Sequence, residues 1–224
     1  MSTNAGLEAL GAHAARMDAI YRSQRHIYDI TRAYYLLGRD GLLDGLAVQA
    51  RQRVLEMGCG TGRNLLGAVQ RYPHARFFGL DISREMLCSA EAALQRAGHG
   101  KDVKLALADA TFFDPRLTFG VPQFDCVYFS YTLSMIPDWR AALQQALAVL
   151  KPGGSLHIVD FGGCERLPRG FKSVLYAWLG RFHVAPRLEL EQELHALLAL
   201  HGGKLKFERP FRGYAVRAKL TLPN

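Results

Sequence analysis

No stretch of this 224-residue chain is both long enough and free enough of charge to span a bilayer. Met1-Ser2-Thr3-Asn4 opens it with no early apolar run, so no secretory leader is expected. Cysteine is scarce and scattered: Cys59, Cys88, Cys126 and Cys164 form no C-x-x-C pair and have no histidine cluster beside them. That spacing argues against a disulfide framework and a zinc site, so no metal is expected, and it suits a reducing cytoplasm. There is no internal repeat, no low-complexity run and no linker to a second large domain, and the length suits one core. Acid is the minority charge: 28 Lys and Arg against 20 Asp and Glu leave a net charge of +8. A basic surface suits nucleic acid, an acidic substrate or an anionic membrane, or is a solvated face with no partner.

What is present begins with glycine. Residues 54–62 read Val54-Leu55-Glu56-Met57-Gly58-Cys59-Gly60-Thr61-Gly62, and Arg63-Asn64-Leu65-Leu66 then looks like the start of a helix. An apolar run ending in an acid, three alternating glycines and a helix make the entry point of a nucleotide-binding α/β sheet. Glycine is needed there because a Cβ would hold the backbone away from a cofactor. The spacing is G-x-G-x-G rather than the dinucleotide G-x-G-x-x-G. With Glu56 in front, it shifts the expectation from a nicotinamide cofactor to S-adenosylmethionine.

The rest of the chain alternates. Strands are predicted near 53–57, 76–80, 103–107, 124–130 and 155–160, and helices near 63–71, 83–97 and 139–149. Lys151-Pro152-Gly153-Gly154 reads as a turn. Alternating β and α predicts a parallel sheet covered on both faces. Leu188 to Leu200 reads as helix, Lys204 to Glu208 as a short strand, and Tyr214 to Leu222 as a strand of alternating polarity, a pair suited to an antiparallel edge. Residues 1–50 are predicted to form a helical cap apart from the sheet, with a short helix from Leu42 to Ala50 after Gly38 and Gly41. Residues 51–224 form the cofactor-binding domain.

Ligands of an open parallel sheet lie beyond the carboxyl ends of its strands. Asp81 follows the second strand, where an acid holds a ribose diol; its other reading is a cap for the helix starting near Ser83. Asp109 follows the third and could accept from an adenine amino group, or be a turn residue. Ser130-Tyr131-Thr132-Leu133-Ser134-Met135-Ile136-Pro137 follows the fourth, where the transferred group and its acceptor would meet, or is an ordinary loop. Asp160 ends the fifth and could face the acceptor, or serve as a cap or ion-pair partner.

Taken in order, Glu56-x-Gly58-x-Gly60-x-Gly62, Asp81, Asp109, Phe124-Asp125 and Leu150-Lys151-Pro152-Gly153-Gly154 match successive motifs of one family. Over roughly residues 50–220 the chain resembles class I S-adenosylmethionine-dependent methyltransferases. The resemblance implies a Rossmann-like α/β fold with a seven-stranded, mostly parallel sheet and an antiparallel edge strand. It implies S-adenosylmethionine as cofactor and S-adenosylhomocysteine as product. The glycine loop would approach the methionine moiety, Asp81 the ribose, and Asp109 with Ala110 the adenine. The implied cofactor set is Tyr28, Arg32, Glu56, Gly58, Cys59, Gly60, Gly62, Asp81, Ile82, Met86, Asp109, Ala110, Ser130 and Tyr131.

Two further segments address the acceptor. Residues 21–43 read YRSQRHIYDITRAYYLLGRDGLL and residues 129–139 read FSYTLSMIPDW. They are similar to the diacylglycerylhomoserine N-methyltransferases of betaine-lipid synthesis, chiefly in Tyr28-Asp29-x-x-Arg32 and in Ser130 to Pro137. These enzymes are similar in turn to soluble phosphatidylethanolamine and ubiquinone-type methyltransferases, whose N- and C-methylations are the alternatives. A cofactor-binding module without methyl transfer is the reading from another class. The resemblance implies three successive N-methylations of a lipid at an anionic membrane surface. The protein would be cytoplasmic and peripherally attached, without a transmembrane span, and could associate with the enzyme that makes the homoserine lipid. No nucleic-acid partner is expected: Ser130-Tyr131-Thr132-Leu133 stands where RNA enzymes carry an Asn/Asp-Pro-Pro-Tyr/Phe box.

The attacking amine must be neutral, so a proton has to be handled. Tyr28, Tyr131 and Asp160 are the candidate catalytic residues; His26 fits an exposed histidine better than a base. Residues 168–182 place Phe171, Val174, Leu175, Trp178, Leu179 and Phe182 on one helical face flanked by Arg169, Lys172 and Arg181. Such a helix either packs on the sheet or lies in a membrane interface. Arg16, Arg22, Arg25, Arg32 and Arg39 add basic candidates.

Overall fold

A computed structural model gives the fold and describes residues 36–224. Tyr28, Arg32, His26, Asp29 and the helices expected before residue 36 lie outside the described residues. Seven strands, β1 (Arg53–Met57), β2 (Arg76–Asp81), β3 (Val103–Leu107), β4 (Phe124–Ser130), β5 (Leu150–Phe161), β6 (Lys204–Glu208) and β7 (Ala215–Thr221), form one sheet in the order β3-β2-β1-β4-β5-β7-β6. β1 to β5 are mutually parallel. β7 runs antiparallel to both of its neighbours, β5 and β6. Between the strands lie α1 (Arg39–Asp44), α2 (Arg63–Arg71), α3 (Arg84–Arg96), α4 (Pro115–Phe119), α5 (Trp139–Ala148), α6 (Arg169–Gly180) and α7 (Leu190–His201).

The central strands are apolar without a polar face because helices cover both sides. Successive residues of β4 go to opposite cores. Val127 and Phe129 join Leu55, Leu80, Leu143 of α5 and Leu194 of α7 on one side. Cys126 and Tyr128 join Val54, Leu65 of α2, Leu94 of α3 and Leu179 of α6 on the other. Asp125 points away from the crevice: it accepts the Arg53 amide at 2.7 Å and pairs with Lys151, bolting β1, β4 and β5 together at their start.

Three expectations change. The short helix is α1, which begins directly after Gly38 and ends at Gly45 instead of running from Leu42 to Ala50. Beyond it Ala47 and Arg51 have φ of 51° and 67°, which a helix cannot hold. Nor are residues 36–50 apart from the sheet: Leu42 and Leu43 are buried in the second core, and Asp40 and Asp44 both pair with Arg71 of α2. The Lys151–Gly154 turn lies within β5, as a kink where the Gly153 amide reaches Pro223 and the ladder with β4 slips register.

Candidate active site

Past the carboxyl ends of β1 to β4 opens a cavity of about 1130 Å³. Its wall is built from the connections that follow those strands, the start of α2 and one face of α3 from Glu85 to Arg96, with Leu36 and Arg39 contributed from the entry to α1.

The glycine loop turns the chain from β1 into α2. Gly58 has φ of 76°, and a Cβ on it would overlap Thr132 Cγ2 from the connection after β4. A Cβ on Gly60 would meet nothing within 4 Å, so at that point bare backbone faces open space. The Gly58 and Cys59 amides both donate to the Leu80 carbonyl at 2.9 Å. Asp81 lines the cavity with one carboxylate oxygen on the Gly60 amide (2.8 Å) and the other on the Ser83 amide (2.9 Å). It does not cap α3: Ser83 does, its hydroxyl accepting from the Met86 amide. Asp109 also lines the cavity while accepting the amide and hydroxyl of Thr111, both at 2.7 Å, so the turn and the wall are one structure.

On the far side, Ser130 ends β4 with a buried hydroxyl that has no hydrogen-bond partner among the described residues. A buried unpartnered hydroxyl in a cavity wall calls for a ligand atom. With the bare Gly60 backbone and the carboxylates of Asp81 and Asp109, it fits a nucleoside-bearing amino acid such as S-adenosylmethionine. Tyr131 lines the same wall with φ of 57°. Its ring packs edge-on against Phe161 at 4.7 Å, and its hydroxyl donates to the Leu37 carbonyl at 2.6 Å. Burial holds that phenol neutral.

Of the residues expected at the cofactor, Gly58, Cys59, Gly60, Asp81, Ile82, Asp109, Ala110, Ser130 and Tyr131 line the cavity. Glu56, Gly62 and Met86 stand behind it. Glu56 is fully buried, its carboxyl held by Asn64 Nδ2 at 2.8 Å and the Tyr128 hydroxyl at 3.1 Å. Burial lifts its pKa to about 8, against the pull of those two bonds and of Arg39, with Asp81 pushing the same way as burial. Gly62 lets α2 approach α3, since a Cβ there would sit 2.9 Å from Ala90 Cβ. Met86 packs under α3 against Met135 and Phe182.

Asp160 does not face the cavity. It is buried at the end of β5, accepting the Ser134 amide at 3.0 Å and the Phe161 amide at 2.7 Å. Burial raises its pKa, while bonds from Ser134 and Phe161 and the charge of Arg187 oppose the rise. Asp160 thus serves neither the acceptor nor a helix cap; it ties the connection after β4 to the end of β5 through two backbone amides. Three residues have roles that the sequence did not indicate. Arg39, expected only as a basic candidate, lines the cavity. Thr132, expected within the run after β4, has its Oγ1 3.2 Å from the Gly58 carbonyl. Arg187, not singled out at all, donates to the Leu133 carbonyl at 2.9 Å and the Ile136 carbonyl at 2.6 Å. No local motif marks Arg187.

Beside the Ser130–Asp138 wall, α6 divides its apolar face. Leu179 is buried and Leu175, Trp178 and Phe182 pack against the core, but Phe171 and Val174 are 47% and 72% exposed. The helix is therefore part core element and part open surface. No helix among the described residues is long and apolar enough to cross a membrane.

Residues 54–154 match the protein family described as Methyltransferase domain. The chain is 28% identical over 194 residues to the ubiquinone/menaquinone biosynthesis C-methyltransferase of Ruegeria sp. (strain TM1040), covering 84% of this chain and 74% of that protein. It is 31% identical over 173 residues to the demethylmenaquinone methyltransferase of Corynebacterium urealyticum, covering 75% and 66%. Among solved structures it is similar to the plantazolicin methyltransferase in complex with a triazolic analog and S-adenosylhomocysteine, with a TM-score of 0.66, 15% identity, and coverage of 97% and 99%.

Proposed function

The chain is a class I S-adenosylmethionine-dependent methyltransferase, and we propose that its acceptor is the amino group of a diacylglycerol-linked homoserine, methylated three times. The observation that carries this reading is the surface beside the acceptor wall. From Arg166 to Leu188 the chain holds Arg166, Arg169, Lys172, Arg181 and Arg187 and no acid, with Phe171 and Val174 standing out from α6. Exposed apolar side chains within a cationic field suit an anionic leaflet, where each cation near the surface adds about 1 kcal/mol. Peripheral attachment at the cytoplasmic face, and contact with the enzyme that makes the homoserine lipid, belong to the same proposal. The likeness of residues 21–43 and 129–139 to betaine-lipid N-methyltransferases supports it, and Ser130 to Thr132 with Met135 to Asp138 line one side of the cavity.

When bound, S-adenosylmethionine supplies a methyl group already activated for in-line attack by a neutral amine. What remains for the protein is placement and charge. In this reading the Gly58–Gly60 backbone lies along the methionine moiety. Asp81, oriented by two amides, takes the ribose, Asp109 and Ala110 border the adenine, and Ile82 lines the space between. Ser130 offers its open hydroxyl, and Tyr131 presents an aromatic wall to a cationic product, a contact of about 0.5–2 kcal/mol. Tyr28 and Arg32 would complete the site from the N-terminal segment. Asp160 stands behind the wall and Tyr131 commits its hydroxyl to Leu37, so Tyr28 is the first residue to mutate in the search for the proton acceptor.

The names of the relatives favour a second reading, C-methylation of a quinone precursor. Incubation with methyl-labelled cofactor and vesicles containing diacylglycerylhomoserine separates the two. Mono-, di- and trimethylated lipid is the expected result. Label in a demethylated quinone and none in the lipid would move the acceptor to the second reading; label in phosphatidylethanolamine alone would move it to that headgroup. Co-sedimentation with anionic vesicles at low salt, lost at high salt, is expected for the attachment.

A further inference from the structure

Between α6 and α7 the chain makes an irregular passage over residues 181–189, and its groups converge on the connection after β4. Phe182 and Met135 both pack against Met86. The Ala185 amide donates to the Ser134 carbonyl at 2.9 Å. Arg187 Nε donates to the Leu133 carbonyl at 2.9 Å, and a terminal guanidinium nitrogen donates to the Ile136 carbonyl at 2.6 Å. From the sheet side, Asp160 accepts the Ser134 amide at 3.0 Å. Every residue from Leu133 to Ile136 is thus held from outside its own turn. Three of their carbonyls are answered from Ala185 and Arg187 alone. The guanidinium lies 5.9 Å from the Trp139 ring centroid and feels the Asp160 charge across the loop. A planar fork holds two carbonyls in fixed, spread directions, which a compact ammonium on a flexible stem does not.

Met135, Ile136 and Pro137 line the cavity, whereas Arg187 does not. We propose that Arg187 is a positioning residue for methyl transfer: it sets the acceptor wall of the cavity and leaves the cofactor wall alone. The inference rests on reading this cavity as the methyl-transfer site, and it holds for whichever acceptor the enzyme takes. Because in-line transfer depends on sub-ångström placement, releasing this wall should cost turnover rather than cofactor affinity.

The test compares Arg187→Ala and Arg187→Lys with the wild type. Calorimetry with S-adenosylmethionine should give dissociation constants within about threefold of each other, because the glycine loop and Asp81 are untouched. Methyl transfer to diacylglycerylhomoserine in vesicles should fall about 100-fold in kcat for the alanine variant and about tenfold for lysine, which keeps the charge but not the fixed fork. Hydrogen exchange needs no acceptor and separates this inference from the choice of lipid. Amides 134–136 should exchange faster in the alanine variant, with residues 58–62 unchanged. Unaltered exchange at 134–136 overturns the proposal, as does cofactor affinity falling in parallel with kcat. If the alanine variant does not fold, the lysine variant and Asp160→Asn carry the same readouts from the two sides of the loop. No transfer to the lipid by the wild type would sink the lipid reading and leave the exchange result to decide on Arg187.

Discussion

The two walls of the cavity are held by different means. On the side of β1, β2 and β3 the loop is held through backbone amides, and its parts are near neighbours in the chain or across adjacent strands. The glycine loop hangs from the Leu80 carbonyl, and Asp81 is aimed by the amides of Gly60 and Ser83. On the side of β4 and β5 the wall is a loop held by side chains from far away. Tyr131 bonds Leu37 across 94 residues, Arg187 bonds Leu133 across 54, and Asp160 bonds Ser134 across 26. A backbone wall is damaged by adding atoms, and a side-chain wall by removing them. That arrangement suits one constant ligand and one that differs between enzymes, since a distant tether can be exchanged without disturbing the glycine loop.

The contrast can be broken most directly at Gly58, where the walls meet. Gly58→Ala places a methyl group into Thr132 at a φ of 76°, strain and overlap together worth about 4 kcal/mol. Cofactor affinity by calorimetry should drop several hundredfold; a loss under tenfold would show that the loop yields and is not a rigid wall. Glu56 tests the join beneath the loop, between Asn64 and Tyr128. Its pKa of about 8 in the fold lies above the ordinary 4.5, so the unfolded chain releases this proton first. Its burial therefore costs nothing below pH 4.5, costs more through pH 4.5 to 8, and costs a constant amount above. Glu56→Gln should be about 3 kcal/mol more stable than the wild type at pH 7 and equal to it at pH 4, by denaturant titration. A wild type more stable at pH 8 would mean that Glu56 is ionised and holds the walls together by charge.

Smaller effects sharpen the picture. Tyr131→Phe removes the bond to Leu37 and leaves the ring, so it should cost about 1 kcal/mol of stability with cofactor affinity nearly intact. Gly60→Ala meets no protein atom and carries only the strain of φ 54°, so by denaturant titration it should cost about 1–2 kcal/mol of stability against about 4 for Gly58→Ala, while its methyl group enters the space that the proposed function gives to the cofactor. Equal losses of stability at the two glycines would refute the distinction between crowding and conformation.

This division also explains what could be read from the residues. β1, β3 and β4 have the predicted bounds, because buried apolar runs punctuated by glycine and charge are local signals. The cavity positions of Asp81 and Asp109 were legible because both lie at the carboxyl ends of strands. A motif traces the backbone but does not say which way a side chain points, so Glu56, Gly62 and Met86 were expected at the cofactor and lie behind it. Gly38 and Gly41 looked alike in sequence. Gly38 starts α1 with φ of 86°, whereas Gly41 sits inside it, where a Cβ would lie 2.9 Å from Arg217. Arg187 and the true place of Asp160 had no periodicity to betray them, since their partners come from other parts of the chain.

The pairing of β1 with β4 carries a kinetic consequence. Glu56 and Tyr128 lie 72 residues apart, and the Arg53 amide waits for Asp125 across the same interval. Closing so long a loop belongs to the late, slow part of folding. Until it closes, Gly58 has no Thr132 beside it and the cavity has one wall. Cofactor should therefore find nothing to grip in a half-formed sheet. It should prolong the lifetime of the finished molecule without hastening its formation.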